Sequence, residues 1–138
     1  MIIAFYKAPG TWTDKLIRFW MKGPYSHCEI RMVDGYCYSS SLRDGGVRCK
    51  PIYLDPADWD LVNLNIPLDQ QAGVAHWFNV NIGKKYDLLG LVGFLFRPQA
   101  GSRDSYFCSE ACAAALGVID PWRFDPNALY SLVKQLEA

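Results

Sequence analysis

Between Tyr106 and Gly117 the chain reads Tyr-Phe-Cys-Ser-Glu-Ala-Cys-Ala-Ala-Ala-Leu-Gly, and this stretch restricts the fold more than any other. The small side chains of Ala111, Ala113, Ala114 and Ala115 predict a helix that another element approaches closely. Gly117 supplies its C-terminal stop. Cys108 falls in the first turn, where a thiol meets unpaired backbone N–H groups and the positive end of the helix dipole. Both favour the thiolate, the nucleophilic form of cysteine. Cysteine is also among the residues most often buried, and Ala-rich helices are commonly core helices. Cys112, one turn on, reads as packing. Cys108 is set apart by its place at the helix start and by a candidate base elsewhere in the chain.

The rest of the pattern decides what such a helix packs against. Ile2 to Tyr6 is a short apolar run that reads as a buried strand, broken by Pro9-Gly10. Thr11 or Thr13 then caps a helix to about Met21, with Trp12, Leu16, Phe19 and Trp20 at helical spacing. From Tyr25 to Val33 the residues alternate as in a strand, with His27, Glu29 and Arg31 on one face and Cys28, Ile30 and Met32 on the other. Asp34-Gly35 is a hairpin signal leading to a strand over Tyr36 to Ser41. A second turn at Arg43-Asp44-Gly45-Gly46 leads to a third strand near Val47 to Ile52, and Pro51 implies that this strand frays or sits at an edge. Trp59 to Ile66 is a further sheet segment. Helices are expected over Leu68 to about Ile82, over Leu88 to Phe96 behind an Asp87 cap, and over Asn127 to Leu136 behind Asp125-Pro126. The segment from Arg97 to Asp104 reads as a loop. Strand, helix, a run of strands and then helices is an α+β order: a small, mostly antiparallel sheet with helices gathered on one side.

With 138 residues, 51% of them hydrophobic, the chain suits a single domain spanning residues 1–138 with one sizeable core. Fourteen basic and fourteen acidic side chains cancel, which argues against a nucleic-acid partner. Five cysteines without a CxxC pair, and a start with no signal-peptide pattern, make a reduced, cytoplasmic setting the default expectation. Delivery to a cell wall by phage or secretion is equally compatible. The apolar run from Leu88 to Phe96 is too short for a membrane-spanning segment, which takes about 20 residues. No metal site is expected, because His27, Cys28, Cys37 and Cys49 lack ligand spacing and adjacent His27 and Cys28 point to opposite strand faces. No cofactor is expected.

A thiol nucleophile needs a base, usually histidine, and a group that orients the ring. His76 falls within a helix with no polar companion and reads as structural or surface. His27, at the beginning of a strand and on the face of Glu29, is the better base. Ile2-Ile3-Ala4-Phe5, Tyr25-Ser26-His27, Gly83-Lys84-Lys85-Tyr86-Asp87 and Phe107-Cys108-Ser109-Glu110 follow in that order. Together they resemble the circularly permuted branch of the NlpC/P60 papain-like cysteine hydrolases, whose members include the YiiX-like proteins. The lecithin retinol acyltransferase-like proteins share that layout. The resemblance runs from about Ile2 to Gly117 and implies a papain-like fold with Cys108 as nucleophile and His27 as general base and acid. It implies that Tyr25 helps to shape the oxyanion site, where the backbone N–H of Cys108 is a donor on physical grounds. Asp87 and Glu110 also match motif positions and read as capping and structural. The chain departs from the pattern at the third member: the position of the family's acid is Ser39. A serine hydroxyl fixes an imidazole tautomer but adds no charge to stabilise imidazolium. Glu29, two residues from His27, is the alternative.

These readings predict a thiol hydrolase that cleaves an amide through an acyl-enzyme, by resemblance in bacterial cell-wall peptide. The same dyad acting on an acyl ester, thioester or lipid, as hydrolase or acyltransferase, is a second reading, motivated by Trp12, Phe19, Trp20 and the run from Leu88 to Phe96. A decayed scaffold serving as a binding module is a third, resting on Ser39. The sequence carries no signal for oligomeric state.

Overall fold

The computed structural model describes residues 1–88 and 105–137. Beyond Leu88, the helix expected to Phe96 and the loop from Arg97 to Asp104 lie outside the described residues. Strands β1 (Ile2–Tyr6), β2 (His27–Arg31), β3 (Tyr36–Ser41), β4 (Gly46–Pro51) and β5 (Trp59–Asn63) form one antiparallel sheet in the order β4-β3-β2-β1-β5. Four α-helices accompany it among the described residues: α1 (Trp12–Met21), α2 (Leu68–Asn81), α3 (Cys108–Ala115) and α4 (Pro126–Lys134), with a 3-10 turn at Pro121–Arg123. This is the expected α+β class, and β4, which ends on Pro51, is an edge strand as its proline requires.

The period-2 alternation of the strands gives the sheet two unlike faces. Ile3, Phe5, Cys28, Ile30, Tyr38, Val47 and Val62 point into the main core, where they meet Val74 and Phe78 of α2 and Leu129 and Val133 of α4. Ala111 and Ala113 are fully buried, and their small side chains let α3 lie close against β2 and β3. Phe5, Tyr25 and Tyr130 form an aromatic cluster with ring centroids 4.7–5.4 Å apart, geometry that adds about 0.5–1.5 kcal/mol per pair beyond area burial. The opposite face carries Tyr6, His27, Glu29, Arg48 and Trp59 and borders a cleft whose other wall is α1. So α2, α3 and α4 gather on one side as expected, whereas α1 stands across the other.

One irregularity in the sheet prepares the site. The β2–β3 ladder pairs Ile30 with Tyr38 and Arg31 with Cys37, and goes no further toward the start of β2. At Cys28 the two strands have parted. The C=O of Cys28 accepts a hydrogen bond from the Ser39 hydroxyl at 2.7 Å, and its N–H is turned to the sulfur of Cys108. The Ser40 hydroxyl donates to the C=O of Tyr106, fastening the entry of α3 to the gap. A buried backbone pair left open by the ladder is thereby satisfied by side chains.

The other side of β3 is held through Gly46, which has φ of +149° and accepts a close approach from the chain before Tyr86. A Cβ at Gly46 would lie 1.9 Å from the C=O oxygen of Lys84, whereas one at Gly45 would meet nothing within 4 Å. Gly46→Ala should therefore lower stability by about 2–4 kcal/mol in urea unfolding, and Gly45→Ala, strained only through its φ of +81°, by about 1 kcal/mol. Equal losses from the two substitutions would contradict this account.

Candidate active site

Cys108 is the first residue of α3, with Phe107 in extended conformation before it. The carboxyl of Glu110, at the third helical position, accepts from the backbone N–H of Phe107, which caps the helix start. Burial and the neighbouring Asp87 push Glu110 up to about 7. Its other oxygen has no partner, so this side chain is held at some cost.

His27 opens β2 opposite Tyr6 of β1. Its ring lies close enough to the sulfur of Cys108 for the two groups to interact electrostatically. The Nε2 atom lies 2.7 Å from Oε1 of Glu29. With that nitrogen held by a carboxylate, Nδ1 is the one left for the thiol. The two segments that the sequence leaves 81 positions apart, 27 and 108, are thus joined at one point.

Electrostatics polarise the pair. For Cys108, the hydrogen bond from the Cys28 thiol acts most strongly; burial opposes it, and the charge and hydrogen bond of His27 with the N–H of Cys28 complete the balance. The thiol is held well below its ordinary range. Burial alone would lower His27, but the charge and hydrogen bond of Cys108 and the contact with Glu29 outweigh it and raise the ring to about 10. A thiolate facing an imidazolium is the resulting state near neutral pH. The Cys28 thiol, which donates to the sulfur of Cys112, is pushed well above the usual thiol value by burial and by Cys108 and Cys112. Its sulfur lies 3.7 Å from that of Cys112.

Glu29 is the acid of the site. It is 1% exposed, and burial of a lone carboxylate would raise its pKa. The hydrogen bonds of Arg48 and then His27 reverse that, and it stays lowered and charged. Arg48 grips both carboxylate oxygens, with Nη1 2.7 Å from Oε2 and Nη2 on Oε1. Its Nε donates to Asp44 at 2.8 Å, and Asp44 also accepts from Lys50, which with Arg48 holds it down to about 2. Sulfur, imidazole, carboxylate, guanidinium, carboxylate and ammonium follow one another in alternating sign.

Ser39, expected to orient the imidazole, does not do so in the structure. Its hydroxyl is spent on the C=O of Cys28, and the carboxylate next to His27 is that of Glu29. The reason is strand geometry: Glu29 shares the face and the strand of His27, two residues on, so its carboxyl reaches the ring while Ser39 is tied down in the gap. Tyr25 is also placed differently from the expectation. Its hydroxyl donates to Asp60 at 2.7 Å, its ring packs on Phe5 and Tyr130, and its backbone is bracketed by Asn127. The tyrosine that faces the site is Tyr86: burial, then the charges of Cys108 and Cys28, raise its pKa, and it lines the cleft. His76 is exposed on α2.

Arg48 and Tyr86 had no assigned role in the sequence reading. The signal for Arg48 was present, because β4 pairs it with Ser39, one strand over from Glu29. Counting the register from the two turns puts Glu29, Ser39 and Arg48 on one face. The cleft beside them has a volume of about 620 Å³ and is walled by α1 residues Trp12, Asp14 and Ile17, by His27 and Glu29, and by Ile52 and Trp59. Cys108 is 2% exposed and does not itself line the cleft; His27 and Tyr86 do. Among the described residues no three His, Cys, Asp or Glu side chains are grouped to hold a metal ion, and no helix is long and apolar enough to cross a membrane.

Two outcomes follow from this geometry. Alkylation of Cys108 by a small reagent such as iodoacetamide should keep its rate as pH falls from 8 to 6, while that of a small free thiol in the same buffer should drop about tenfold per unit; mass spectrometry reads both. Arg48→Met should destabilise the fold by about 3–5 kcal/mol, because it strands a buried carboxylate, and Glu29→Gln in the same chain should return part of that loss.

The chain matches no protein-family model and no curated protein.

Proposed function

We propose that this chain is a cysteine hydrolase of the permuted NlpC/P60, papain-like kind, cleaving an amide bond by way of an acyl-enzyme. The observation that carries the reading is the contact of Cys108 with His27, backed by the carboxylate of Glu29. The order of the four sequence motifs supports the family, and the family's chemistry makes bacterial cell-wall peptide the preferred substrate.

In this mechanism the Cys108 thiolate attacks the carbonyl carbon, and the carbonyl π pair moves onto oxygen. The N–H of Cys108, unpaired in the first turn of α3, faces that oxyanion. His27, already protonated, passes its proton to the leaving nitrogen as the C–N bond breaks, which leaves a thioester and a neutral ring. The ring then takes a proton from water, whose oxygen attacks the thioester; the C–S bond breaks, freeing the carboxylic acid and restoring the Cys108 thiolate beside the protonated ring. Glu29 keeps Nε2 bonded throughout and stabilises the imidazolium of the resting state. A decayed scaffold loses its main argument, because the acid absent at position 39 is supplied from position 29.

A second reading keeps the same residues and changes the substrate to an acyl ester, thioester or lipid. It is favoured by the apolar walls of the cleft, Trp12, Ile17, Ile52 and Trp59. Muropeptides and acylated lipids assayed in parallel distinguish the two.

Cys108→Ala should abolish turnover of either substrate while circular dichroism stays unchanged; full activity in that variant ends the hydrolase reading. Glu29→Gln should lower kcat by about 10²–10⁴-fold, whereas Ser39→Ala should change kcat by less than about threefold and cost about 1 kcal/mol of stability. The rate should fall in alkali as His27 loses its proton near about 10, and in acid as Cys108 is protonated well below the ordinary thiol range.

A further inference from the structure

α1 is fastened to the molecule from one side only. Asp14 binds Thr11 and, through its other oxygen, the hydroxyl of Ser26 at 3.0 Å. Arg18 reaches back to the C=O groups of Ala8 and Pro9, and Ile17 is the buried residue of the helix. The outer side is apolar. Trp12, Leu16 and Phe19, at i, i+4 and i+7, stand in one row, and Trp12 and Phe19 are 75% and 77% exposed. Solvent-facing aromatics of that size on a helix ask for a partner.

Lys15 and Lys22, one helical face over and two turns apart, run alongside the row and are exposed. Neither has a carboxylate partner among the described residues, since the acid of the helix, Asp14, is turned inward. Arg43, exposed and also lining the cleft, has Asp14 of α1 at 3.6 Å. The α1 lip of the cleft therefore presents aromatic rings beside cations. A helix with tryptophan and phenylalanine on one side and lysine beside them has the make-up of an interfacial helix, whose rings enter the acyl boundary while its cations meet anionic headgroups. Lys15 and Lys22, exposed beside the rings, complement an anionic surface, which selects a charged lipid layer over a neutral apolar groove.

We propose that the Trp12–Leu16–Phe19 row of α1, with Lys15 and Lys22, seats the mouth of the cleft on an anionic lipid surface. The seating requires no thiol chemistry, so it stands or falls separately from the hydrolase reading.

The test is co-sedimentation of the whole chain with vesicles of phosphatidylcholine alone and of phosphatidylcholine mixed with phosphatidylserine, run on the native chain and on Cys108→Ala. Binding to the mixed vesicles, with a blue shift of tryptophan emission, is expected in both. The double variant Lys15→Gln/Lys22→Gln should bind about tenfold or more weakly, at about 1 kcal/mol per lysine. Phe19→Ser should lose the binding while keeping its circular dichroism and unfolding midpoint. Absence of binding to mixed vesicles, or binding untouched by either variant, overturns the proposal. So does self-association in sedimentation equilibrium that Phe19→Ser abolishes in the absence of lipid binding, because a second copy would then be the cover of the row.

Discussion

The site depends on a place where two paired strands let go of each other. Had the β2–β3 ladder continued, the N–H and C=O of Cys28 would have faced Ser40 and the gap would have closed. Instead the Ser39 hydroxyl takes the carbonyl and the amide turns to the sulfur of Cys108. Ser40 meanwhile fixes the last carbonyl but one before α3. The same opening gives α3 its way in, and the small faces of Ala111 and Ala113 let it come close enough to use it. The sulfur of Cys108 is therefore positioned by backbone groups of a strand rather than by a loop, which limits its freedom.

Behind the histidine, the arrangement obeys the cost of burying charge. A carboxylate hidden as fully as Glu29 stays ionised only with excellent partners, and it has a bidentate guanidinium on one side and an imidazole on the other. The guanidinium in turn is steadied by Asp44, toward the rim. Orientation of the ring thus rests on a chain of contacts extending outward to the β3–β4 turn. That is why a residue as distant from the sulfur as Arg48 belongs to the description of the site.

Much of the frame was legible in the residues. Hairpin signals at Asp34-Gly35 and Gly45-Gly46 located β2, β3 and β4, and alternation along β2 gave its two faces correctly. The proline in β4 identified an edge. What the sequence could not convey was which hydroxyl or carboxylate would reach the ring, because that is set by how far the strands diverge. A motif comparison favoured Ser39 for occupying the position of an acid; the divergence assigns Ser39 to the backbone and leaves Glu29 at hydrogen-bond distance. Tyr25 shows the same limit. Its proximity to His27 in the chain suggested a shared pocket, but side chains at 25 and 27 are separated by the onset of β2, and the ring of Tyr25 turned into the core beside Phe5.

The alternation of sign from the sulfur to Lys50 has an effect at long range. Three negative and three positive groups laid end to end form a string without a monopole, so the potential they project fades within a few ångströms of the protein surface. A charged molecule approaching through solvent would scarcely sense the reactive centre at all. Whatever electrostatic guidance it receives must come from peripheral, unneutralised groups such as Lys15 and Lys22. In the proposed hydrolase, capture and bond cleavage fall to separate sets of charges, and evolution or engineering is free to alter one without retuning the other.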